Sequence, residues 1–269
     1  MGPKYRDPKS MLITGGSSGI GKAIAADAVR QGVKVFLIAR DQDKLDATVH
    51  ELRSLQEDCK LATFSACVTD SAAIEAAVQT AESTHGPIDL LINSAGTAIP
   101  GYFEDISIEE FSQQLEINYL GTIRVIKSVL PSMKSRGQGW IVNVSSLAGV
   151  KGVFGYTAYC GSKFAVTGVT EALRAELYPH GIGVTLLCPP DTRTPGLAEE
   201  EATKPIETKR ISETGALLEP EEVASALWKG LSNNRSLIVP GSKARLLYDV
   251  NRFAPSVIDR MLRRAANPD

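Results

Sequence analysis

The fold of this chain is decided by one stretch, Thr14-Gly15-Gly16-Ser17-Ser18-Gly19-Ile20-Gly21. It follows the apolar run Met11–Ile13 and precedes Lys22–Gln31, where apolar residues recur at helical spacing. Glycines permit a tight turn and let backbone N–H groups approach a phosphate at the positive end of a helix. A turn without a ligand is the alternative, and the spacing differs from the usual Gly-x-Gly-x2-Gly. The strand–turn–helix context nevertheless favours a site for the pyrophosphate of a dinucleotide.

Short apolar runs alternate with helix-like segments along the rest of the chain. The predicted strands are Met11–Ile13, Val33–Ala39, Leu61–Val68, Ile88–Ile92, Trp140–Val144, Val184–Leu187 and Ser236–Val239. The predicted helices are Lys22–Gln31, Lys44–Leu55, Ala72–Ser83, Ile108–Ser135, Tyr159–Leu177 and Pro220–Leu231. Continuous apolar strands are typical of a parallel sheet covered on both faces. We therefore predict an α/β fold with a doubly wound sheet in a single domain, 1–269, with its core at 10–240 and a C-terminal amphipathic extension at 241–269.

Composition argues against several other classes of protein. The chain has 269 residues, of which 43% are hydrophobic and 22% are charged, and its net charge is −2. The near-neutral charge gives no electrostatic basis for binding nucleic acid. The four cysteines lie far apart and form no pair with zinc-ligand spacing, so we expect reduced thiols and no metal site. The sequence shows no signal peptide and no run of about 18 apolar residues, so we expect a cytoplasmic protein.

The end of the second predicted strand bears on the choice of cofactor. An acidic residue there would bind the ribose 2′-hydroxyl of NAD and repel the 2′-phosphate of NADP. This chain has Arg40 at that point and Lys44 one turn further on. Arginine offers a planar donor fork that suits a phosphate. Asp41 and Asp43 weaken the signal, and a solvated surface arginine is the alternative, but the pattern favours NADP(H).

Tyr159 and Lys163 place a phenol and an ammonium four residues apart. On a helix both side chains project from one face. A nearby ammonium, together with an oxidised nicotinamide, favours the phenolate, so we expect the pKa of Tyr159 to be lowered from about 10. The tyrosine could then exchange a proton with a carbonyl or alkoxide oxygen. Alone, the Tyr-x3-Lys pattern is common and has little specificity.

Polar residues also follow two other predicted strands. Ser145-Ser146 comes after Trp140–Val144, and Asn93-Ser94-Ala95-Gly96 comes after Ile88–Ile92. Open α/β sheets bind ligands at these strand ends. Asn118 lies inside a predicted helix although asparagine is a poor helix former, so its position needs another reason. A polar turn and a hydrogen-bonded core asparagine are the alternative interpretations.

Taken in order, these motifs resemble those of the short-chain dehydrogenase/reductase superfamily. The resemblance covers about residues 10–239, and Ser146 precedes Tyr159 by 13 residues, a separation that the superfamily shows. It implies a Rossmann-like sheet of about seven parallel strands, a nicotinamide cofactor and a homo-oligomer formed through the helices around 111–133 and 159–177. In that superfamily the tyrosine donates a proton, the serine binds the substrate oxygen, the lysine binds the nicotinamide ribose and the asparagine holds a relay water. Those catalytic roles fall here to Tyr159, Ser146, Lys163 and Asn118.

The resemblance and the turn chemistry together give a set of cofactor-binding residues. The expected contacts are Gly15, Ser17, Ser18, Gly19, Ile20, Arg40, Lys44, Val68, Asn93, Ala95, Gly96, Tyr159, Lys163, Pro189, Thr192 and Thr194. The chain departs from the superfamily at Cys67-Val68, where Asp-Val is common, and at Pro189-Pro190, where Pro-Gly is usual. The first departure weakens a side-chain contact to adenine, and the second stiffens a turn that is normally loose.

The segment from Pro189 to Thr214 resembles that of the 3-ketodihydrosphingosine reductases. This resemblance implies NADPH-dependent reduction of 3-ketodihydrosphingosine, a long-chain lipid ketone that carries an amine. Candidate walls of an apolar groove are Val150, Val153, Phe154 and the loop 195–217. Four glutamates could attract the amine, unless they are only solvated: Glu199, Glu200, Glu201 and Glu207.

The C-terminal segment has apolar residues at about helical spacing, from Leu246 to Leu262, with Pro255 between them. Basic residues outnumber acidic ones there, as in helices that lie on anionic membranes. Packing on the protein itself is the alternative to peripheral membrane contact.

Two other functions remain open from the sequence. One is a reductase of the same superfamily that acts on a steroid, a retinoid or a 3-oxoacyl thioester. The other is a non-catalytic NADP(H)-binding protein, although a pure binder has no need of a proton relay.

Overall fold

Seven parallel strands form the central sheet of the computed structural model, which describes residues 2–267. In chain order they are β1 (Ser10–Thr14), β2 (Lys34–Ala39), β3 (Leu61–Ser65), β4 (Leu90–Asn93), β5 (Gly139–Val144), β6 (Ile182–Leu187) and, after two short strands described below, β9 (Leu237–Ile238). Their order across the sheet is β3-β2-β1-β4-β5-β6-β9. The predicted doubly wound, Rossmann-like sheet is therefore confirmed. The order reverses between β1 and β4, the place where such sheets bind ligands at their carboxyl edge.

Helices cover both faces of the sheet. Those preceding the substrate region are α1 (Gly19–Arg30), α2 (Gln42–Leu55), α3 (Ser71–His85), α4 (Ile108–Leu115), α5 (Gly121–Arg136) and α6 (Thr157–Leu177). They are followed by α7 (Pro195–Glu200), α8 (Ile206–Thr214), α9 (Pro220–Ser232), α10 (Ser242–Phe253) and α11 (Pro255–Ala266). One buried cluster joins α1, α2 and α9 to the sheet, and a second joins α3 and α5 to its other face.

The alternation of side chains along β1 shows why both faces need cover. Met11 and Ile13 belong to the first cluster, whereas Leu12 belongs to the second, and all three are fully buried. Successive side chains of a strand point to opposite faces, so a continuous apolar strand supplies two cores at once.

The predicted helix Ile108–Ser135 is wrong in one respect, since it is not continuous. A π-helical turn, Glu116–Leu120, separates α4 from α5. The strand predicted to reach Val68 ends at Ser65. The segment after β6 also contains two short strands, β7 (Asp191–Thr192) and β8 (Leu217–Leu218), which pair in parallel and enclose α7 and α8.

The C-terminal segment forms α10 and α11, with Pro255 at the start of α11, and α11 packs against α8. Among residues 2–267, no helix has the length and apolar character needed to span a bilayer. The proposed boundary between a core and an extension at residue 240 stays a prediction, and its outermost residues, 1 and 268–269, lie outside the described range.

Candidate active site

The turn between β1 and α1 leaves room only for glycine at two positions. Gly15 has φ +68° and Gly19 has φ +50°, a region that side-chain-bearing residues rarely adopt. A Cβ added at Gly15 would lie 2.8 Å from the backbone nitrogen of Ala95, and one at Gly19 would lie 2.8 Å from the Thr194 Cγ2. Because any side chain at these positions would fill it, this turn forms an open cradle at the start of α1. Such a cradle fits the phosphates of a dinucleotide.

This turn opens into a cavity of about 430 Å³ at the carboxyl edge of the sheet. Twelve of the predicted cofactor-binding residues line it: Gly15, Ser18, Gly19, Ile20, Arg40, Ala95, Gly96, Tyr159, Lys163, Pro189, Thr192 and Thr194. The structure thus brings the glycine-rich turn, the end of β2 and the start of α6 to one site.

Two of the remaining predicted contacts, Val68 and Asn93, are buried away from this cavity. Val68 packs in the sheet core, where a Cβ added at Gly121 would lie 2.6 Å from its Cγ2. The Asn93 amide donates to the Oδ1 of Asn143 at 2.9 Å, inside the sheet. Neither residue lines the cavity, and their predicted contact with the cofactor stays a prediction.

The other two, Ser17 and Lys44, also lie outside the cavity lining. The Ser17 carbonyl accepts a hydrogen bond from the Thr48 hydroxyl at 3.0 Å, which ties the turn to α2. The Lys44 side chain is exposed on the first turn of α2. Its position in the sequence, one turn beyond Arg40, did not show whether it would face the cavity.

Arg40 follows β2 directly, is exposed and lines the cavity. Among residues 2–267 its guanidinium takes part in no ion pair. The neighbouring Asp41 accepts from the backbone nitrogen of Lys44 at 3.0 Å and so caps α2. The acidic residue that weakened the NADP signal in the sequence therefore has a structural role of its own.

The two hydroxyls predicted to act on the substrate meet in the cavity. Ser146 follows β5 and accepts from the backbone nitrogen of Ala148 at 3.1 Å, which fixes its side chain at the start of a short 3₁₀ turn. Tyr159 lies in the first turn of α6, and the influence of the Ser146 hydroxyl on its phenol lowers the pKa of Tyr159. Ser145 instead donates to the carbonyl of Lys163 at 3.0 Å and anchors α6.

Lys163 lies one helical turn beyond Tyr159 and is buried. Its ammonium is 5.7 Å from the centroid of the Tyr159 ring and donates to the carbonyl of Val144, at the end of β5, at 3.0 Å. Burial lowers the pKa of Lys163 to about 8, because desolvation penalises the charged form. The ammonium and the phenol therefore face the same cavity.

We expected the pKa of Tyr159 to be lowered, and for the effect of the protein's own groups this expectation is wrong. Burial and the negative charge of Glu200 raise this pKa above its ordinary value, and only the contact with Ser146 opposes them among the largest effects. The Lys163 ammonium donates to the Val144 carbonyl. A phenol held in its protonated form is nevertheless what a proton donor requires.

Asn118 explains the break between α4 and α5. Its Oδ1 accepts from the backbone nitrogen of Thr97 at 2.8 Å, and its amide donates to the Thr97 carbonyl at 2.9 Å and to the Ser162 hydroxyl at 2.8 Å. These bonds tie the π turn to the loop after β4 and to α6, and π turns often mark functional sites. Asn118 does not line the cavity, its side chain positions the loop and α6, and its predicted part in a proton relay stays a prediction.

Apolar side chains line another part of the cavity, and the sequence did not predict all of them. Val150 and Val153 line it as expected, whereas Phe154 is exposed and packs against Tyr102 instead. The helices α10 and α11 contribute further lining residues, namely Leu247, Tyr248, Asn251, Ile258, Met261 and Leu262. The helical spacing of these residues was visible in the sequence, but their distance along the chain from Tyr159 hid the contact.

Tyr156 and Glu200 also line the cavity beside Tyr159. The Tyr156 hydroxyl donates to Glu200 Oε2 at 2.5 Å, and its ring centroid lies 5.6 Å from that of Tyr159. Tyr156 was missed because a single tyrosine before a helix has no distinguishing pattern. Glu200 was one of four glutamates that the sequence could not tell apart.

Comparison with known proteins agrees with this geometry. The "3-dehydrosphinganine reductase" of Danio rerio is 44% identical over 222 residues, which cover 81% of this chain and 67% of that protein. The "3-ketodihydrosphingosine reductase" of Mus musculus shows the same identity and coverage. A crystal structure of an actinorhodin polyketide ketoreductase variant with NADPH has a TM-score of 0.77 at 31% identity, covering 90% of this chain and 98% of that one.

A family of proteins also matches most of this chain. Residues 9–205 match the family described as "short chain dehydrogenase", and this range includes the glycine-rich turn, Ser146, Tyr159 and Lys163. With most of the chain matched, and with a sheet order and a site that fit, the protein belongs to the short-chain dehydrogenase family.

Proposed function

We propose that this protein reduces the ketone of 3-ketodihydrosphingosine to the alcohol of dihydrosphingosine, in sphingolipid biosynthesis, with NADPH as the cofactor. The observation that carries the proposal is one cavity that is lined by Ser146, Tyr159 and Lys163 and also by apolar side chains of α10 and α11. Relatives named for this reaction are 44% identical over 222 residues. An extended apolar wall suits an alkyl chain, because burying each methylene contributes about 0.8 kcal/mol.

The chain's own residues manage the oxygen of the ketone. A reduced nicotinamide, when bound, supplies the hydride that the carbonyl carbon receives. The Ser146 hydroxyl can donate to the carbonyl oxygen, and the Tyr159 phenol can give its proton as negative charge develops there. Burial and Glu200 keep Tyr159 protonated near neutral pH. Lys163, which is charged below a pH of about 8, can stabilise the phenolate that remains.

The choice of NADPH over NADH rests on Arg40. Its guanidinium lines the cavity beyond β2, and Asp41 is engaged as the cap of α2. A planar fork of donors binds a phosphate with two hydrogen bonds, and the position directly after β2 is this arginine rather than an acidic residue.

We also propose that α10 and α11 contact an anionic membrane surface at the mouth of the cavity. Leu246, Phe253 and Val257 are exposed, with Phe253 81% accessible. The two acidic residues nearby are paired, Asp249 with Arg245 and Asp259 with Lys151. Within residues 2–267, Arg252, Arg260, Arg263 and Arg264 form no ion pair. Apolar side chains beside such arginines fit a bilayer interface, where a lipid substrate resides. The cytoplasmic location stays a prediction.

A homo-oligomer is proposed through α4, the π turn and α6. Large apolar side chains are exposed on these elements, namely Leu115, Leu120 and Phe164, and α4 packs against α6. Clustered exposed apolar side chains mark interaction sites, and a second copy of the chain would bury them.

The first prediction concerns catalysis. With NADPH, we expect kcat/KM for 3-ketodihydrosphingosine to exceed that for a steroid ketone at least about tenfold. Replacement Tyr159→Phe should lower kcat by about 10² to 10⁴, the range of a general acid, and leave NADPH affinity unchanged. NADPH oxidation followed by absorbance measures kcat and kcat/KM, and fluorescence titration measures NADPH affinity.

The exposed phenol Tyr178 provides a matched control, since Tyr178→Phe should have no effect. Efficient turnover by the Tyr159→Phe variant would contradict the proposed proton donor. Preference for the steroid ketone would contradict the proposed substrate.

The second prediction concerns the cofactor. Replacement Arg40→Ala should lower the preference for NADPH over NADH about tenfold or more, because charge-assisted hydrogen bonds contribute about 1.5–3 kcal/mol. Dissociation constants for both cofactors measure this, with Arg53→Ala on the exposed side of α2 as the control. An unchanged ratio for Arg40→Ala would rule out its role.

The third prediction concerns the membrane. The double replacement Phe253→Ser with Val257→Ser should reduce binding to vesicles of phosphatidylcholine and phosphatidylglycerol about tenfold, since two exposed apolar anchors are lost. Flotation measures binding, and Ile108→Ser, at a site 74% accessible, is the matched control. Equal flotation of the double variant and the wild-type chain would reject the contact.

The fourth prediction concerns assembly. Light scattering on a sizing column should show wild-type chains as dimers or larger, and Phe164→Asp should shift them to monomers because a charge cannot be buried unpaired. Leu55→Asp, at the end of α2, should leave assembly unchanged. A monomeric wild-type protein would exclude this interface.

A further inference from the structure

Glu200 differs from the other glutamates of its segment. It ends α7, is half-buried and lines the cavity, where its Oε2 accepts from the Tyr156 hydroxyl. Burial raises the pKa of Glu200 to about 7. A carboxyl group held in an apolar cavity costs desolvation free energy unless a partner offsets it. Its place beside the reacting tyrosine therefore needs a reason.

The neighbouring glutamates have other partners or lie outside. Glu201 accepts from Lys204 at 2.6 Å, and Glu207 accepts from the Tyr102 hydroxyl at 3.0 Å. Glu199 reaches the rim of the cavity but is exposed. Of the four candidates for amine binding, only Glu200 is both inside the cavity and fixed by a hydrogen bond from the protein.

A second carboxyl group lies in the same cavity as Glu200. Asp191, on β7, lines the same cavity, and its charge raises the pKa of both Glu200 and Tyr159. Within residues 2–267, neither Glu200 nor Asp191 forms an ion pair, because Lys204 is held by Glu201. Two carboxyl groups without a directly paired cation favour a ligand that brings one.

The position of Glu200 matches an amine next to the ketone. In an α-amino ketone the nitrogen and the carbonyl carbon are separated by one carbon, which places them about 2.5 Å apart by standard bond lengths. A group that binds this nitrogen must therefore lie beside the proton donor. Tyr156 lies beside the proton donor, with its ring centroid 5.6 Å from that of Tyr159. Its hydroxyl donates to Glu200 and so holds this carboxyl group in the same part of the cavity.

We propose that Glu200, oriented by Tyr156 and assisted by Asp191, binds the ammonium group on the carbon next to the ketone and so selects amino ketones over plain long-chain ketones. This inference rests on the proposed function, since it assigns a part of the same substrate to a residue. The bound ammonium also offsets the charge that holds the pKa of Tyr159 high, which eases proton transfer to the substrate oxygen.

The test compares two substrates and two variants of the full-length protein. The substrates are 3-ketodihydrosphingosine and 1-hydroxyoctadecan-3-one, which lacks the amine. Replacement Glu200→Gln keeps the shape and an acceptor for Tyr156 but removes the charge. We expect its KM for the amino ketone to rise about tenfold or more, and its KM for the plain ketone, which has no ammonium to lose, to change less than about twofold.

Glu199→Gln is the matched control and should affect neither substrate by more than about twofold. NADPH affinity measured on each variant verifies that the site is folded. An equal loss on both substrates, or a larger effect of Glu199→Gln, would overturn the assignment to Glu200 while the proposed function stands. A wild-type protein that reduces neither substrate would instead reject the proposed function itself.

Discussion

The site depends on how α6 is fastened to the carboxyl end of β5. The Lys163 ammonium donates to the Val144 carbonyl, and the Ser145 hydroxyl donates to the Lys163 carbonyl, so helix and strand hold each other through both side chain and backbone. Removing an ammonium from water costs free energy, which is why the pKa of Lys163 is low. The same contact fixes the rotation of α6 about its own axis, and thereby the direction in which the Tyr159 side chain points.

A second fastening acts from the other side of α6. Asn118 bonds to Thr97 in the loop after β4 and to Ser162 on α6, and it does so from a π turn that interrupts regular helix. An extra residue in a turn turns a side chain away from the direction that an α-helix would give it. The irregular turn, the loop and α6 thus form one rigid frame around the cavity.

Much of the fold was predictable because its signals are local. Continuous apolar strands and the glycine-rich turn predicted the doubly wound sheet. The resemblance to the short-chain dehydrogenase/reductase superfamily pointed to Ser146, Tyr159 and Lys163, which line one cavity. The π turn was missed because it depends on the partners of Asn118, which are distant in sequence. The selection of Glu200 among four glutamates, and the direction of the pKa of Tyr159, depend on burial and could not be read from residue order.

The contribution of α10 and α11 to the cavity has a consequence for how the protein matures. Leu247 and Ile258 line the same space as Tyr159, although they lie almost a hundred residues later. Domains generally begin to fold from the N-terminal side during synthesis on the ribosome. The sheet, the cradle and the Tyr159–Lys163 pair can therefore assemble while the apolar compartment still lacks one wall, and lipid can be enclosed only when translation has passed residue 262.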